Sequence, residues 1–240
     1  MPPQHPMQPT LEPSSLKPGV TLYFCRHGET DWNRVQRYQG QTDIPLNDTG
    51  RRQAERNGRT LARRFEAAGI VAGDLDFVSS PQVRASETMQ IIRRELALPI
   101  EPFRRDDRLM EQHFGHWEGE LYSALPELDP VGFAARKAEP WTWSPRDGES
   151  YVMVAERVGA WLSEITRDTL VTSHGNVSRV VRHLVLGIDQ REATVVPVPQ
   201  DKVLVLTASA ARPSPRLALP AWTSCSKRSL SRSPSSTTSR

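Results

Sequence analysis

The stretch Leu22-Tyr-Phe-Cys-Arg-His-Gly-Glu-Thr30 decides how the chain folds. With Val20 and Thr21 in front of it, it opens as a short apolar run rich in β-formers, the pattern of a buried strand over 20–25. His27 falls just past the strand's C-terminal end, between Arg26 and Gly28. In open α/β sheets that edge is where ligands bind.

Working outward, Pro45-Leu-Asn-Asp-Thr-Gly50 introduces a helix with Asn47 as N-cap, and Ala54, Leu61 and Phe65 follow at helical spacing. Asp76–Ser79 reads as a second strand. Ser80 and Pro81 then read as the N-cap and first residue of a helix whose face carries Ala85, Met89, Ile92 and Leu96, which puts Arg84 near its first turn. Ser150 caps a further helix with Tyr151, Val154, Val158, Trp161 and Ile165 on one face. Thr169–Ser173 is a strand with His174 at its end, and the helix after it carries Val177, Val180, Val181, Leu184 and Val185. Lys202–Leu206 is a last strand. Strand and helix in alternation predict an α/β fold, a three-layer α/β/α sandwich with a mainly parallel central sheet. Residues 103–147, with Trp117, Trp141 and Trp143 among prolines, read as a lid or active-site wall.

A chain of 240 residues suffices for one such domain, and a hydrophobic content of 37% suggests that some of the length lies outside it. The domain is expected over 20–206, after a Pro- and Gln-rich segment, 1–19, expected to be disordered. From 207 to 240 the composition turns to Ser, Arg, Pro, Thr and Ala, a low-complexity basic tail expected to be disordered or the product of a frame change. That tail holds six basic residues and no acidic one. Without it, 25 basic against 28 acidic residues leave a net of −3, so the formal +3 of the whole chain gives no reason to expect a nucleic-acid partner. Two cysteines, Cys25 and Cys225, make no disulfide framework, and no apolar segment resembles a signal peptide or a membrane span. A cytoplasmic protein without a membrane partner is expected.

A lone histidine at a strand end is more often structural than functional. Two of them, His27 and His174, brought to one sheet edge with Arg26 and Arg84, are hard to explain by packing. Guanidinium forks match phosphate oxygens, and helix N-termini add amide donors. A metal site is disfavoured, because the arginines repel a cation and no third ligand has suitable spacing. His113 and His116 read as loop histidines. Gly28, Gly40 and Gly175 read as points of close backbone approach.

Arg26-His-Gly-Glu-Thr-Asp-Trp-Asn33 resembles the signature of the histidine phosphatase superfamily, in its phosphoglycerate mutase-like branch. Further blocks match in the family's order: Tyr38-Gln-Gly40, Asp43-Ile-Pro-Leu46, Ser79-Ser-Pro-Gln-Val-Arg-Ala85, Leu109-Met-Glu-Gln-His-Phe-Gly115, Gly148-Glu-Ser150 and Ser173-His-Gly-Asn176. The resemblance implies a phosphoglycerate mutase-like fold with His27 as the nucleophile that becomes phosphorylated. It implies that Arg26, Arg84 and His174 bind the phosphoryl oxygens with help from Asn33 and Gln39, and that Glu111 is the general acid/base. Catalytic His27, Glu111 and His174 would act without a metal or cofactor. Asp43 and Glu149 are candidates to orient neighbouring arginines.

The leading expectation is a phosphatase acting on a small phosphorylated metabolite. The alternative is a phosphoglycerate mutase using 2,3-bisphosphoglycerate as cofactor on the same site. True mutases resemble one another in a longer insertion after the acid. Here only 39 positions separate Glu111 from Ser150, which favours hydrolysis. A catalytically silent phosphate-binding member is the third reading, and retention of both histidines, both arginines and Glu111 argues against it. Neither the substrate nor the oligomeric state is written in the motifs.

Overall fold

The computed structural model describes residues 16–207 and 222–223. Strand β1 (Thr21–Arg26) lies inside a six-stranded sheet with β2 (Asp76–Ser79), β3 (Arg104–Arg105), β4 (Thr169–Ser173), β5 (Val203–Thr207) and β6 (Trp222–Thr223), in the order β3-β2-β4-β1-β5-β6. The pairs β1/β4, β4/β2 and β2/β3 are parallel, whereas β5 runs antiparallel to β1 and β6 antiparallel to β5. Side chains along β1 alternate between two cores. Leu22 and Phe24 join Trp161, Val171, Val177 and Val181 on one face, and Tyr23 and Cys25 join Leu61, Phe65, Met89 and Ile92 on the other. Burial on both faces is why the run is apolar throughout.

Eight helices complete the described chain: α1 (Asp31–Arg34), α2 (Asp48–Ala68), α3 (Val83–Glu95), α4 (Leu125–Leu128), α5 (Pro130–Ala138), α6 (Tyr151–Glu164), α7 (Gly175–Leu186) and α8 (Gln190–Ala193). α2 packs with α3 over one core and α6 with α7 over the other, which makes the expected three layers. Asn47 caps α2 by accepting Gly50 N–H at 2.9 Å, and Ser150 caps α6 by accepting Met153 N–H at 3.3 Å. No helix among the described residues is long and apolar enough to cross a membrane.

Several expectations need correction. Ser80 does not cap α3, which starts at Val83 with Gln82 at the N-cap position and no side-chain cap; the Ser80 hydroxyl is engaged with His174, 94 positions away. The disordered segment cannot extend to 19. Leu16 is only 1% exposed within the larger core, because a single leucine so near β1 reaches the apolar face of the sheet. Residues 1–15 lie outside the described chain. At the other end, the sheet continues past 206, with Thr207 in β5 and Trp222–Thr223 paired to it; the rest of the basic tail lies outside the described residues. Gly28 is a true close approach: a Cβ there would come 2.2 Å from Gly50 O. At Gly175 a Cβ would meet only Arg26 and Glu111 side-chain atoms at 3.7 Å, an ordinary contact.

Candidate active site

The parallel ladder carries three strand ends to one place. Arg26 pairs with Ser173 at the ends of β1 and β4, and the ladder continues one step further as His27 N–H donates to Ser173 O at 2.8 Å. Ser80 N–H donates likewise to Thr172 O at 2.9 Å. The two histidine rings, from segments 147 residues apart, therefore lie with centroids 5.1 Å apart, tilted by 58°.

A neighbour assigns the tautomer of the first imidazole. His27 Nδ1 lies 2.7 Å from Gly28 O, and a carbonyl only accepts, so Nδ1 carries the proton and Nε2 keeps its lone pair. Ser80 Oγ accepts Gln82 N–H at 3.4 Å and lies 2.8 Å from His174 Nε2, while His174 Nδ1 is buried without a protein partner. Burial, followed by the positive charge of Arg84 and then Arg26, holds the proton affinity of His27 well below the usual imidazole range. Burial also dominates at His174, with Arg84, His27 and more distant arginines adding to it. Both rings are neutral at physiological pH.

Arg84, fully buried, donates from Nη1 to Thr42 O at 2.9 Å and from Nη2 to Gly40 O at 2.7 Å. Arg26 donates from Nη1 to Val198 O at 2.8 Å. Burial lowers the proton affinity of both, that of Arg26 to about 10, so both stay charged at neutral pH. The Nε of each is a buried donor with no protein acceptor. Such orphans are rare in native proteins, and here two of them accompany the orphan Nδ1 of His174. The group is receptive to an oxyanion.

Glu111 faces the N-terminus of α7. Its carboxylate accepts Gln112 N–H at 2.9 Å, Gly175 N–H at 3.1 Å and Asn176 N–H at 3.2 Å. Gln82 Oε1 accepts Glu111 N–H at 2.9 Å, while Gln82 Nε2 donates to the same Gly40 O that holds Arg84. One glutamine thus ties the loop of the acid to that of the arginine. Arg157 grips Glu149 with two bonds of 2.9 Å and donates to Glu111 O at 3.2 Å. Asp43 Oδ1 stands 4.0 Å from Arg84, so both suspected orienting carboxylates do meet arginines.

Arg26, His27, Asn33, Gln39, Arg84 and Glu111 all line one cavity of about 570 Å³. His174 is not among the residues that line it, but its ring packs against that of His27 and its unpartnered Nδ1 is part of the same cluster. Asn33 Oδ1 accepts Gln200 Nε2 at 2.9 Å, and Gln39 Oε1 accepts the Thr30 hydroxyl at 3.0 Å. The segment read as a wall contributes Phe114, Tyr122 and Arg136. Trp117 is buried core, its ring tilted by 34° against that of Trp143 with centroids 4.5 Å apart, and His116 pairs with Asp129 at 3.2 Å. Sequence reasoning missed Ser80, Gln82, Arg136, Arg157 and Arg179. Only Ser80 and Gln82 lay in a matched block, and nothing local there marks a tertiary role.

Fold and site together define an α/β protein with a neutral histidine pair set among arginines at the carboxyl edge of its sheet. The chain belongs to the histidine phosphatase superfamily, branch 1, whose family model matches residues 22–218. Among curated relatives it is 35% identical over 144 residues to a glucosyl-3-phosphoglycerate phosphatase of Mycobacterium tuberculosis, a match covering 60% of this chain and 59% of that protein. It is 31% identical over 176 residues to phosphoserine phosphatase 1 of Hydrogenobacter thermophilus, covering 71% and 78%. The solved native structure of a mycobacterial glucosyl-3-phosphoglycerate phosphatase superposes with a TM-score of 0.63 at 27% identity, covering 78% of this chain and 89% of that one.

Proposed function

We propose that the protein is a phosphatase that hydrolyses a small phosphomonoester through a phosphohistidine on His27, without a metal. The observation that carries this reading is the free Nε2 lone pair of a neutral His27 beside two arginines whose Nε donors lack acceptors. A bound phosphoryl group takes those donors, with a further one from His174 Nδ1 where that nitrogen carries the proton, and its spread charge is stabilised by groups already in place. His27 Nε2 attacks phosphorus as the ester P–O bond breaks, and Glu111, which must enter the step as the carboxylic acid, gives its proton to the departing oxygen. Glu111 then takes a proton from the water that attacks the phosphohistidine, which releases inorganic phosphate and restores His27. The arginines supply the charge that a cation would supply in a metallophosphatase.

His27→Ala should lower hydrolysis of p-nitrophenyl phosphate at least about a thousandfold, and the native protein should keep its activity in EDTA. A fully active His27 variant, or inactivation by EDTA, overturns the mechanism. Isomerisation of 3-phosphoglycerate stimulated by 2,3-bisphosphoglycerate would replace the phosphatase reading with the mutase one.

A further inference from the structure

The cavity holds more positive charge than a phosphoryl group needs. Besides Arg26 and Arg84, its walls include Arg37, Arg136 and Arg179, and Glu111 is the one carboxylate among its lining residues. Among the described residues no carboxylate ion-pairs with Arg37, Arg136 or Arg179. A phosphoryl dianion held by Arg26 and Arg84 leaves those three guanidiniums uncompensated.

All three are also held by neutral groups: Arg37 donates to Gly119 O and lies 5.7 Å over the Trp32 ring. Arg136 lies over the rings of Tyr38, Phe114 and Trp117 at 5.3, 5.4 and 5.6 Å and donates to the Tyr38 hydroxyl. Arg179 donates to Asn176 Oδ1 at 2.7 Å and Val196 O at 3.2 Å. Both line the same cavity, and Arg179 Nη1 is also 3.4 Å from the Tyr151 hydroxyl. Ordering a free arginine side chain costs rotamer entropy. Here neutral groups absorb that cost and leave the positive charge unanswered. A volume of about 570 Å³ also exceeds what a phosphoryl group fills and lies within the range of small-molecule sites.

We infer that Arg136 and Arg179 form a second anion subsite, so that the preferred substrate is a phosphomonoester whose organic part carries a carboxylate or a second phosphate. The inference rests on the phosphatase reading above. It is tested with matched pairs of substrates. One arm compares 3-phosphoglycerate with glycerol 3-phosphate, in which a hydroxymethyl replaces the carboxylate; the other compares fructose 1,6-bisphosphate with fructose 6-phosphate. The native protein should favour the anionic member of at least one pair by about tenfold or more in kcat/KM, and the responding arm tells carboxylate from phosphate. Arg136→Gln and Arg179→Gln should each cut that ratio severalfold. The ratio is internal to each preparation, so a partly misfolded variant still reports it. Equal turnover within both pairs by the native protein, or a ratio untouched by either substitution, overturns the subsite while p-nitrophenyl phosphate hydrolysis leaves the phosphatase reading standing. No turnover of any phosphomonoester sinks the phosphatase reading and the subsite with it.

Discussion

Glu111 shows how a single side chain can be tested apart from its neighbours. It sits where three backbone amides meet it, so its position is set by α7 and the loop and not by the substrate. If it is the proton donor, Glu111→Gln must hurt most where the departing oxygen needs a proton. Alkyl phosphates should slow by about 10²–10⁴, whereas p-nitrophenyl phosphate, whose leaving group departs unaided, should lose far less. Equal losses on both esters would mean that Glu111 only shapes the site. His27, His174, Arg26 and Arg84 were legible in the sequence because each stands at a strand end or in the first turn of the helix after one. Ser80 was not. A serine before a proline reads locally as a cap, and its bond to His174 exists only once β2 and β4 are side by side. Arg136 and Arg179 carried no signal either, since their role depends on a cavity wall built from distant segments.

Between elements, the start of α2 lies against the loop that follows β1. The contact is backbone on backbone: a Cβ on Gly28 would stand 2.2 Å from Gly50 O, and one on Gly50 would stand 2.1 Å from Glu29 O. Neither neighbour is a flexible side-chain end, so accommodation means shifting a helix or the nucleophile's loop. Gly50→Ala should cost about 1–3 kcal/mol of stability, or roughly 2–12 °C in Tm for a domain of this size. Gly73→Ala, where a Cβ meets nothing within 4 Å, serves as the control and should stay within about 0.5 kcal/mol. Similar behaviour of the two variants in thermal unfolding would refute the close approach. At this scale the sequence placed β2 and β4 correctly and β1 and β5 within one residue, because short apolar runs bounded by polar turns mark strands. It did not give the antiparallel direction of β5, which no run of valine and leucine encodes. The two-residue strands β3 and β6 are too short for any periodicity, and only pairing with β2 and β5 defines them.

For the molecule as a whole, burying two histidines links folding to pH. The ends of the fold were misread from composition, since Leu16 and the β6 pairing depend on the sheet already being there; the buried centre was legible and carries the thermodynamic consequence. In the unfolded chain both imidazoles titrate near the ordinary value of 6.5, and in the fold burial and the arginines keep them neutral to well below it. Below about pH 6.5 the unfolded chain therefore binds more protons than the native one, and stability falls as pH falls, by up to about 1.4 kcal/mol per pH unit for each histidine. Stability is fully present above 6.5 and declines toward the folded values. Urea unfolding at pH 7 and pH 5.5 should differ by roughly 2–3 kcal/mol from these two groups. Most carboxylates still keep their charge at pH 5.5. The His27→Gln, His174→Gln double variant should lose most of that pH dependence, whatever its own stability at pH 7. A native protein equally stable at both pH values, or a double variant with the same slope, would mean that the two rings do take up protons inside the fold, and the neutral nucleophile would fall with that result.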